Sequence, residues 1–355
     1  MSKIILFYGS FDPIHAGHLK IAKNSLNLIK GDKLYFGLNK NSNSKNLTPF
    51  FKRKKMVELA IKKEKKFGII DIQFDYNNLE ETYAKILNFC NKDNEYYILI
   101  GEDQILSLNK WYKFDMLKKH FKFIVARRNN SNYDINSDYI YLNNKICNIS
   151  SSEIKEGKYA YLDKDVKQYI IDNNLYLKNQ LKKYMSNKRY KHVVSVKNLA
   201  LKIYRNNKEG LDRNKVIAAS LLHDIAKEYP KNKTMMIMNK YYPNKVNESQ
   251  SLYHQYVGEY LARKKFNIED VEILDAIKYH TTANENMSKL AKLVYVADKL
   301  DPLRDYDSTT MIKACIDDLD KGFIKVLKEN IDYLNTKHIP YGNEYTENAV
   351  NYYLK

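Results

Sequence analysis

Gly9-Ser10-Phe11-Asp12-Pro13-Ile14-His15-Ala16-Gly17-His18 decides how the first half of the chain is read. It follows Ile4-Ile5-Leu6-Phe7-Tyr8, an apolar run with the length of a buried parallel strand. It leads into residues 18–28, where Leu19, Ala22 and Leu26 recur at helical spacing before Gly31. A strand-to-helix turn of this kind is where an α/β sheet binds phosphate. Backbone N–H groups at the helix start converge on an anion, and glycine permits its close approach. His15 and His18 stand three apart and project from one side of the helix start. Two imidazoles there can donate hydrogen bonds to a triphosphate and offset charge developing at phosphorus. A single histidine in an apolar setting is more often a hydrogen-bonded core residue. Two of them behind Gly-x-Phe-Asp-Pro favour chemistry.

Outward from that turn, strands alternate with amphipathic helices. Lys33-Leu34-Tyr35-Phe36-Gly37-Leu38, the stretch 69–74, Tyr96-Tyr97-Ile98-Leu99-Ile100 and Phe121-Lys122-Phe123-Ile124-Val125 read as strands, with a helix around Met56, Leu59 and Ala60. A βαβαβ succession calls for a Rossmann-like, mostly parallel sheet with helices on both faces. From about Leu181 the pattern is helical, near 190–206, 213–226, 250–265, 269–279, 288–299 and 309–334. The expectation is an α/β domain over 1–180 and an all-α domain over 186–355, in line with about 150 residues per domain.

The formal charge is +18, which raises nucleic acid as a partner. The excess is spread evenly, with 30 basic against 20 acidic residues in 1–180 and 30 against 22 in 181–355. It comes mostly from lysine in a chain also rich in Asn, Ile and Tyr, as an A/T-rich coding sequence produces. An evenly basic surface attracts anionic substrates, and the charge is read that way rather than as a nucleic-acid site. No apolar run is long enough for a membrane span, and Cys90, Cys147 and Cys315 lie too far apart for a disulfide framework or a zinc module. A cytoplasmic location is expected, with the oligomeric state open.

The Gly9–His18 segment resembles the nucleotidyltransferase superfamily, whose hallmark is His-x-Gly-His after the first strand. Within it the chain is similar to nicotinate-nucleotide adenylyltransferase over about residues 3–177. The likeness continues through Arg53-Lys54-Lys55-Met56-Val57-Glu58-Leu59-Ala60, Glu81-Thr82-Tyr83, Ile100-Gly101-Glu102-Asp103, Trp111-Tyr112, Ala126-Arg127-Arg128 and Ile149-Ser150-Ser151-Ser152-Glu153-Ile154-Lys155. The resemblance implies transfer of AMP from ATP to nicotinate mononucleotide, with Mg²⁺ carried by the triphosphate. It implies His15, His18 and Lys45 as catalytic groups. Substrate and ATP contacts would come from Gly9, Ser10, Phe11, Thr82, Tyr83, Gly101, Asp103, Trp111, Arg127, Ile149, Ser150, Ser151 and Lys155. Taken alone, Trp111 reads as core packing and the serine triplet as a helix cap. The loop before Lys45 lacks the prolines and histidine of the family pattern, and Lys155 stands where an arginine is usual.

In the helical half, His192, the pair His223-Asp224, His254, His280 and Asp298 all lie in apolar helical surroundings. A carboxylate there is costly unless it is paired or on a metal. Imidazole plus carboxylate suits a Lewis-acidic, hydrolytic site for Fe, Mn, Zn, Co or Mg. The ordered set resembles the HD-domain phosphohydrolases, with His192, His223, Asp224 and Asp298 as metal ligands. Leu221-Leu222-His223-Asp224-Ile225-Ala226-Lys227-Glu228, Tyr253-His254-Gln255-Tyr256-Val257-Gly258, Tyr279-His280-Thr281-Thr282 and Ala297-Asp298-Lys299-Leu300-Asp301-Pro302-Leu303-Arg304-Asp305 are similar to the symmetrical bis(5′-nucleosyl)-tetraphosphatases. That likeness implies cleavage of diadenosine tetraphosphate (Ap4A) into two ADP, with Asp224 catalytic and iron the metal expected. Lys227 and Arg304 would neutralise polyphosphate. His254 and His280 are read either as ligands of a second metal or the phosphate, or as capping core histidines.

Two further readings are open at this stage. One keeps both folds but gives the first domain another mononucleotide acceptor and the second a signalling nucleotide. The other takes the chain as a basic RNA-binding protein, against which the intact His15/His18 pair and the full His/Asp set argue.

Overall fold

The computed structural model describes residues 1–40, 47–75, 77–127, 138–142, 149–341 and 343–355. The chain divides into two compact units, Met1–Tyr169 and Ile170–Lys355.

The first unit is built on a six-stranded sheet in the order β3-β2-β1-β4-β5-β6, parallel throughout. Its elements are β1 (Lys3–Gly9), α1 (Ala16–Ile29), β2 (Lys33–Leu38), α2 (Phe50–Ile61), β3 (Phe67–Ile69), α3 (Leu79–Phe89), β4 (Glu95–Gly101), α4 (Phe114–His120), β5 (Phe121–Ala126), β6 (Tyr139–Leu142) and α5 (Ser151–Lys155). Ile4 to Phe7 are buried without a break, so both faces of β1 are covered. The chain runs outward one way through β2 and β3, then returns past β1 to β4, β5 and β6. Strand order therefore reverses between β1 and β4, and a parallel sheet opens its ligand crevice at such a point. The Gly9–His18 turn leaves β1 there. Gly9 is needed for close approach, because a Cβ would meet the Phe11 ring at 3.0 Å.

Helix α6 (Lys164–Asp172) crosses from the first unit into the second. There follow α7 (Leu177–Leu181), α8 (Asn187–Tyr204), α9 (Arg213–Leu222), α10 (Lys231–Tyr241), α11 (Tyr253–Lys265), α12 (Val271–Tyr279), α13 (Lys289–Lys299), α14 (Thr309–Asp317), α15 (Leu319–Thr336) and α16 (Glu344–Tyr353). Leu177, Leu181 and Met185 join one core with Val193, Val196, Leu222, Tyr256 and Val294. The division thus falls earlier than residue 180, because the apolar side chains of this lysine-rich stretch pack into the helical core. The helix expected over 309–334 is two helices. Asp318 leaves helical geometry and caps α15, and Gly322 lies so close to Cys315 that a Cβ would sit 2.6 Å from its Cα. Helix α10 shows no apolar period because it buries only Met238. No helix among the described residues is long and apolar enough to cross a membrane.

Candidate active sites

In the first unit the site begins with a helix cap. His15 is the N-cap of α1, and its Nδ1 accepts the Gly17 N–H at 3.1 Å. The His18 Nδ1 accepts the His15 N–H at 3.3 Å. With both Nδ1 atoms accepting, the neutral rings carry their proton on Nε2. The rings lie 3.8 Å apart at 34°, and Phe11 packs edge-on to His18 at 5.2 Å. The helix start therefore presents two aligned N–H donors beside the strand-order reversal.

Three side chains hold this turn from below. Arg53, 1% exposed, donates to the carbonyls of Ser10 (2.7 Å), Asn39 (2.8 Å) and Thr48 (2.8 Å). Buried Asp12 accepts from Lys155 Nζ at 2.6 Å and from the Thr48 N–H at 3.1 Å. Ser151 Oγ donates to the Pro13 carbonyl at 3.0 Å, which ties α5 to the same turn. Lys155 thus spends its charge on Asp12, and Ser150 caps α5 in a reciprocal pair with Glu153. Gly101 ends β4 and Arg127 follows β5, and Arg127 lies 3.5 Å from buried Glu102. Asp103 is exposed, and Ile149 is half-buried. Trp111 and Tyr83 belong to one aromatic cluster, with Trp111 edge-on to Phe123 at 6.5 Å and Tyr83 edge-on to Tyr112 at 6.4 Å. The Thr82 hydroxyl is bonded within its own helix start, to the Asn78 carbonyl (2.9 Å) and the Asp75 N–H (3.2 Å). Lys45 lies outside the described residues.

The second unit gathers its histidines from four helices. His192 comes from α8, His223 and Asp224 follow α9, His254 opens α11, His280 ends α12, and Asp298 lies near the end of α13. Each Nδ1 faces an acceptor: Asp301 Oδ2 at 2.7 Å for His192, and the carbonyls of Ser220 (2.8 Å), Ser251 (2.8 Å) and Ile277 (2.6 Å) for His223, His254 and His280. The ring proton is thereby held on Nδ1, and every Nε2 lone pair is turned inward. The result is close approach of like acceptors, 3.3 Å between His192 and His223 and 3.2 Å between His254 and His280. A cation placed among them relieves that, and the Thr281 hydroxyl, 3.1 Å from His254 Nε2 and 3.0 Å from His280 Nε2, does so in part for the second pair.

Asp224 supplies the counterpart. Its Oδ2 lies 3.5 Å from His192 Nε2 and 3.8 Å from His223 Nε2, while its Oδ1 lies 3.5 Å from both His254 and His280 Nε2. Asp298 Oδ1 completes the first group, 3.3 Å from His192 and 3.7 Å from His223. Among the described residues these donors form two groups able to hold a metal ion, His192-His223-Asp224 and Asp224-His254-His280.

Electrostatics agree. Burial pushes His223 down to about 4 and His254 down to about 3, so both rings are neutral. Burial would raise Asp224 and Asp298, but the surrounding histidines, with Arg304 at Asp298, hold both well below the ordinary carboxylate range. Burial opposes charge on His192, yet the carboxylates of Asp298, Asp301 and Asp224 around it raise its pKa. Cations ring the cluster. Arg304 Nη2 is 2.8 Å from Asp298 Oδ1, Arg189 Nη1 is 2.5 Å from Asp224 Oδ2, and Lys227 Nζ is 3.3 Å from His254 Nε2.

Sequence reasoning missed Arg53, Arg189 and Asp301 as parts of these sites. Arg53 shares the buried stripe of α2 with Met56, Val57 and Ile61, a burial that its neighbours Lys52, Lys54 and Lys55 mask in the sequence. Asp301 stands three residues after Asp298 and also accepts from Ser195 Oγ at 2.5 Å.

These two constructions define the class: a nucleotidyltransferase joined to an HD-domain phosphohydrolase. Residues 6–157 match the cytidylyltransferase-like family and residues 189–303 the HD domain. The chain is 31% identical over 343 residues to a probable nicotinate-nucleotide adenylyltransferase/Ap4A hydrolase of Mycoplasma genitalium, covering 92% of this chain and 97% of that protein. It therefore belongs to the family of bifunctional nicotinate-nucleotide adenylyltransferase/Ap4A hydrolases. Each half also matches a separate protein. A probable nicotinate-nucleotide adenylyltransferase of Hydrogenobaculum sp. is 34% identical, covering 50% of this chain and 99% of its own. A symmetrical bis(5′-nucleosyl)-tetraphosphatase of Bacillus subtilis is 31% identical, covering 45% of this chain and 87% of its own.

Proposed function

We propose that the first unit transfers the adenylyl group of ATP to nicotinate mononucleotide, and that the second hydrolyses Ap4A to two ADP. In the first reaction a phosphate oxygen of the mononucleotide attacks the α-phosphorus of ATP. The bond from that phosphorus to the bridging oxygen breaks, and pyrophosphate leaves with the electron pair. His15 and His18 donate Nε2–H bonds to the phosphate oxygens as negative charge shifts toward the leaving group. Arg53, Asp12 and Ser151 act through the backbone by keeping the two rings in place. Mg²⁺ accompanies the triphosphate, and Lys45 is the candidate second cation.

In the second reaction water attacks one of the two central phosphorus atoms, and the central P–O–P bridge breaks. His192, His223, Asp224 and Asp298 would hold one divalent metal ion, and Asp224, His254 and His280 a second, with iron the metal proposed. Such ions polarise phosphate oxygens and lower the pKa of water. Lys227 and Arg304 neutralise the polyphosphate, and Asp301 and the three backbone carbonyls keep the imidazole rings aimed. The observation that carries the reading is the two-sided Asp224, with one oxygen toward each histidine pair. The free thiols of Cys90 and Cys315 support a cytoplasmic setting.

The test is incubation of the full chain with Ap4A, with and without chelator, and with ATP plus nicotinate mononucleotide. ADP as sole product, lost on chelation, together with nicotinate adenine dinucleotide and pyrophosphate, is expected. ATP plus AMP from Ap4A, or no turnover after metal reconstitution, would sink the hydrolase half.

A further inference from the structure

The loop that follows α13 holds two large apolar side chains open beside the histidine–aspartate cluster. Leu303 is 61% exposed and Tyr306 51%. Neither is loosely placed. The Leu303 N–H bonds to Asp301 Oδ1 (3.2 Å), the Arg304 N–H to the Asp301 carbonyl (2.9 Å), and the Tyr306 N–H to the Arg304 carbonyl (2.9 Å). Ser308 Oγ closes the loop onto the Leu300 carbonyl at 3.1 Å. The Tyr306 hydroxyl donates to the Lys299 carbonyl, one residue beyond Asp298. Its phenol lies within the field of Arg304, Asp298 and Asp301. Between the two apolar residues, Arg304 reaches Asp298. One short loop therefore presents apolar, cationic and aromatic groups in the order 303, 304, 306, at the edge of a site built for phosphate.

We propose that Leu303 and Tyr306 form the nucleobase subsite of the HD unit, an apolar and aromatic platform for the purine of a nucleoside polyphosphate whose phosphates lie at Arg304 and the histidine–aspartate cluster. The proposal rests on the hydrolase reading above and adds the means of selecting a nucleotide over bare polyphosphate. The cations recognise phosphate alone, and every base has a π-face for which a ring and a leucine make a tolerant partner. An aromatic side chain half open to solvent on a loop pinned by five hydrogen bonds is pre-ordered for such a partner.

The experiment uses the full, metal-loaded chain. It reads the KM for Ap4A, the inhibition constants of ADP and pyrophosphate on Ap4A hydrolysis, and bound metal. Tyr306→Ala is expected to raise the KM for Ap4A and the inhibition constant for ADP about tenfold, or about 1.4 kcal/mol. Pyrophosphate inhibition, kcat and metal content should stay as in the parent. Leu303→Ala should act in the same direction with a smaller change, and Tyr306→Phe, which keeps the ring but loses its bond to the Lys299 carbonyl, should fall between parent and Tyr306→Ala. Parallel weakening of ADP and pyrophosphate, loss of metal, or unchanged ADP inhibition in Tyr306→Ala overturns the subsite. A parent chain that leaves Ap4A intact overturns the hydrolase reading and the subsite with it, and that result appears before any substitution is made.

Discussion

The two units use the same side chain in opposite senses. In the first, backbone N–H groups occupy the Nδ1 atoms of His15 and His18, so the rings offer Nε2–H donors. In the second, a carboxylate and three carbonyls take the Nδ1 protons of His192, His223, His254 and His280, so the rings offer Nε2 lone pairs. A donor suits an anion and a lone pair suits a cation. Histidine chemistry here is chosen by what the backbone does on the far side of the ring, and the reactive side alone does not reveal it.

That contrast can be broken by substitution, most severely at the shared carboxylate. Asp224→Asn should remove both metal groups at once. Bound metal should fall to near zero, and Ap4A hydrolysis by more than the 10–100-fold typical of losing an outer-shell partner, while adenylyl transfer is untouched. Metal analysis beside both assays checks it. Retained metal would mean that Asp224 does not bridge.

Next in size, His15→Ala should lower adenylyl transfer by about 10²–10³-fold, the range for removing one preorganised donor, with hydrolysis unchanged. The sharper comparison replaces histidine by glutamine in both units. Glutamine keeps an N–H donor, so His18→Gln should retain a measurable part of the transfer rate. His223→Gln puts a weak amide oxygen or an N–H where a lone pair is needed, and metal binding should be lost. Equal damage in both assays would erase the distinction.

Asp301→Asn should weaken metal affinity by about 10–100-fold without abolishing it, read by metal titration, because His192 loses its carboxylate orienter and keeps its ring. The smallest effect belongs to Arg53→Lys, which keeps the charge but cannot serve three carbonyls at once. It should slow adenylyl transfer several-fold and lower the melting temperature of the first unit by a few degrees, about 1 kcal/mol.

The parts of these sites that were legible in sequence are the local ones. His15 and His18 sit within one strand-turn-helix, so their spacing alone placed them on one side of a helix start. The alternation of apolar runs and helical stripes was enough for the parallel sheet. The helical site was legible only as an ordered set of residues, since His192 and Asp298 meet through packing of α8 and α13. Asp301 and Arg189 were not legible as parts of it, because both act on ligands brought by other helices. Arg53 was hidden differently. It lies among Lys52, Lys54 and Lys55, and only burial separates the arginine that clamps three loops from the lysines that face water. Helix α10 buries too little to leave a period, and the short strand β6 offers only four residues to read.

His15 caps α1 with the ring proposed to face the phosphates, and its carbonyl accepts the Leu19 N–H at 3.2 Å. Folding and readiness for chemistry are therefore timed by one event. When the Gly17 amide opens to solvent, the His15 ring has let go and the aligned donor pair is gone. The hydrogen-exchange rate of that single amide is thus a clock for how often the site stands assembled, readable with no substrate present.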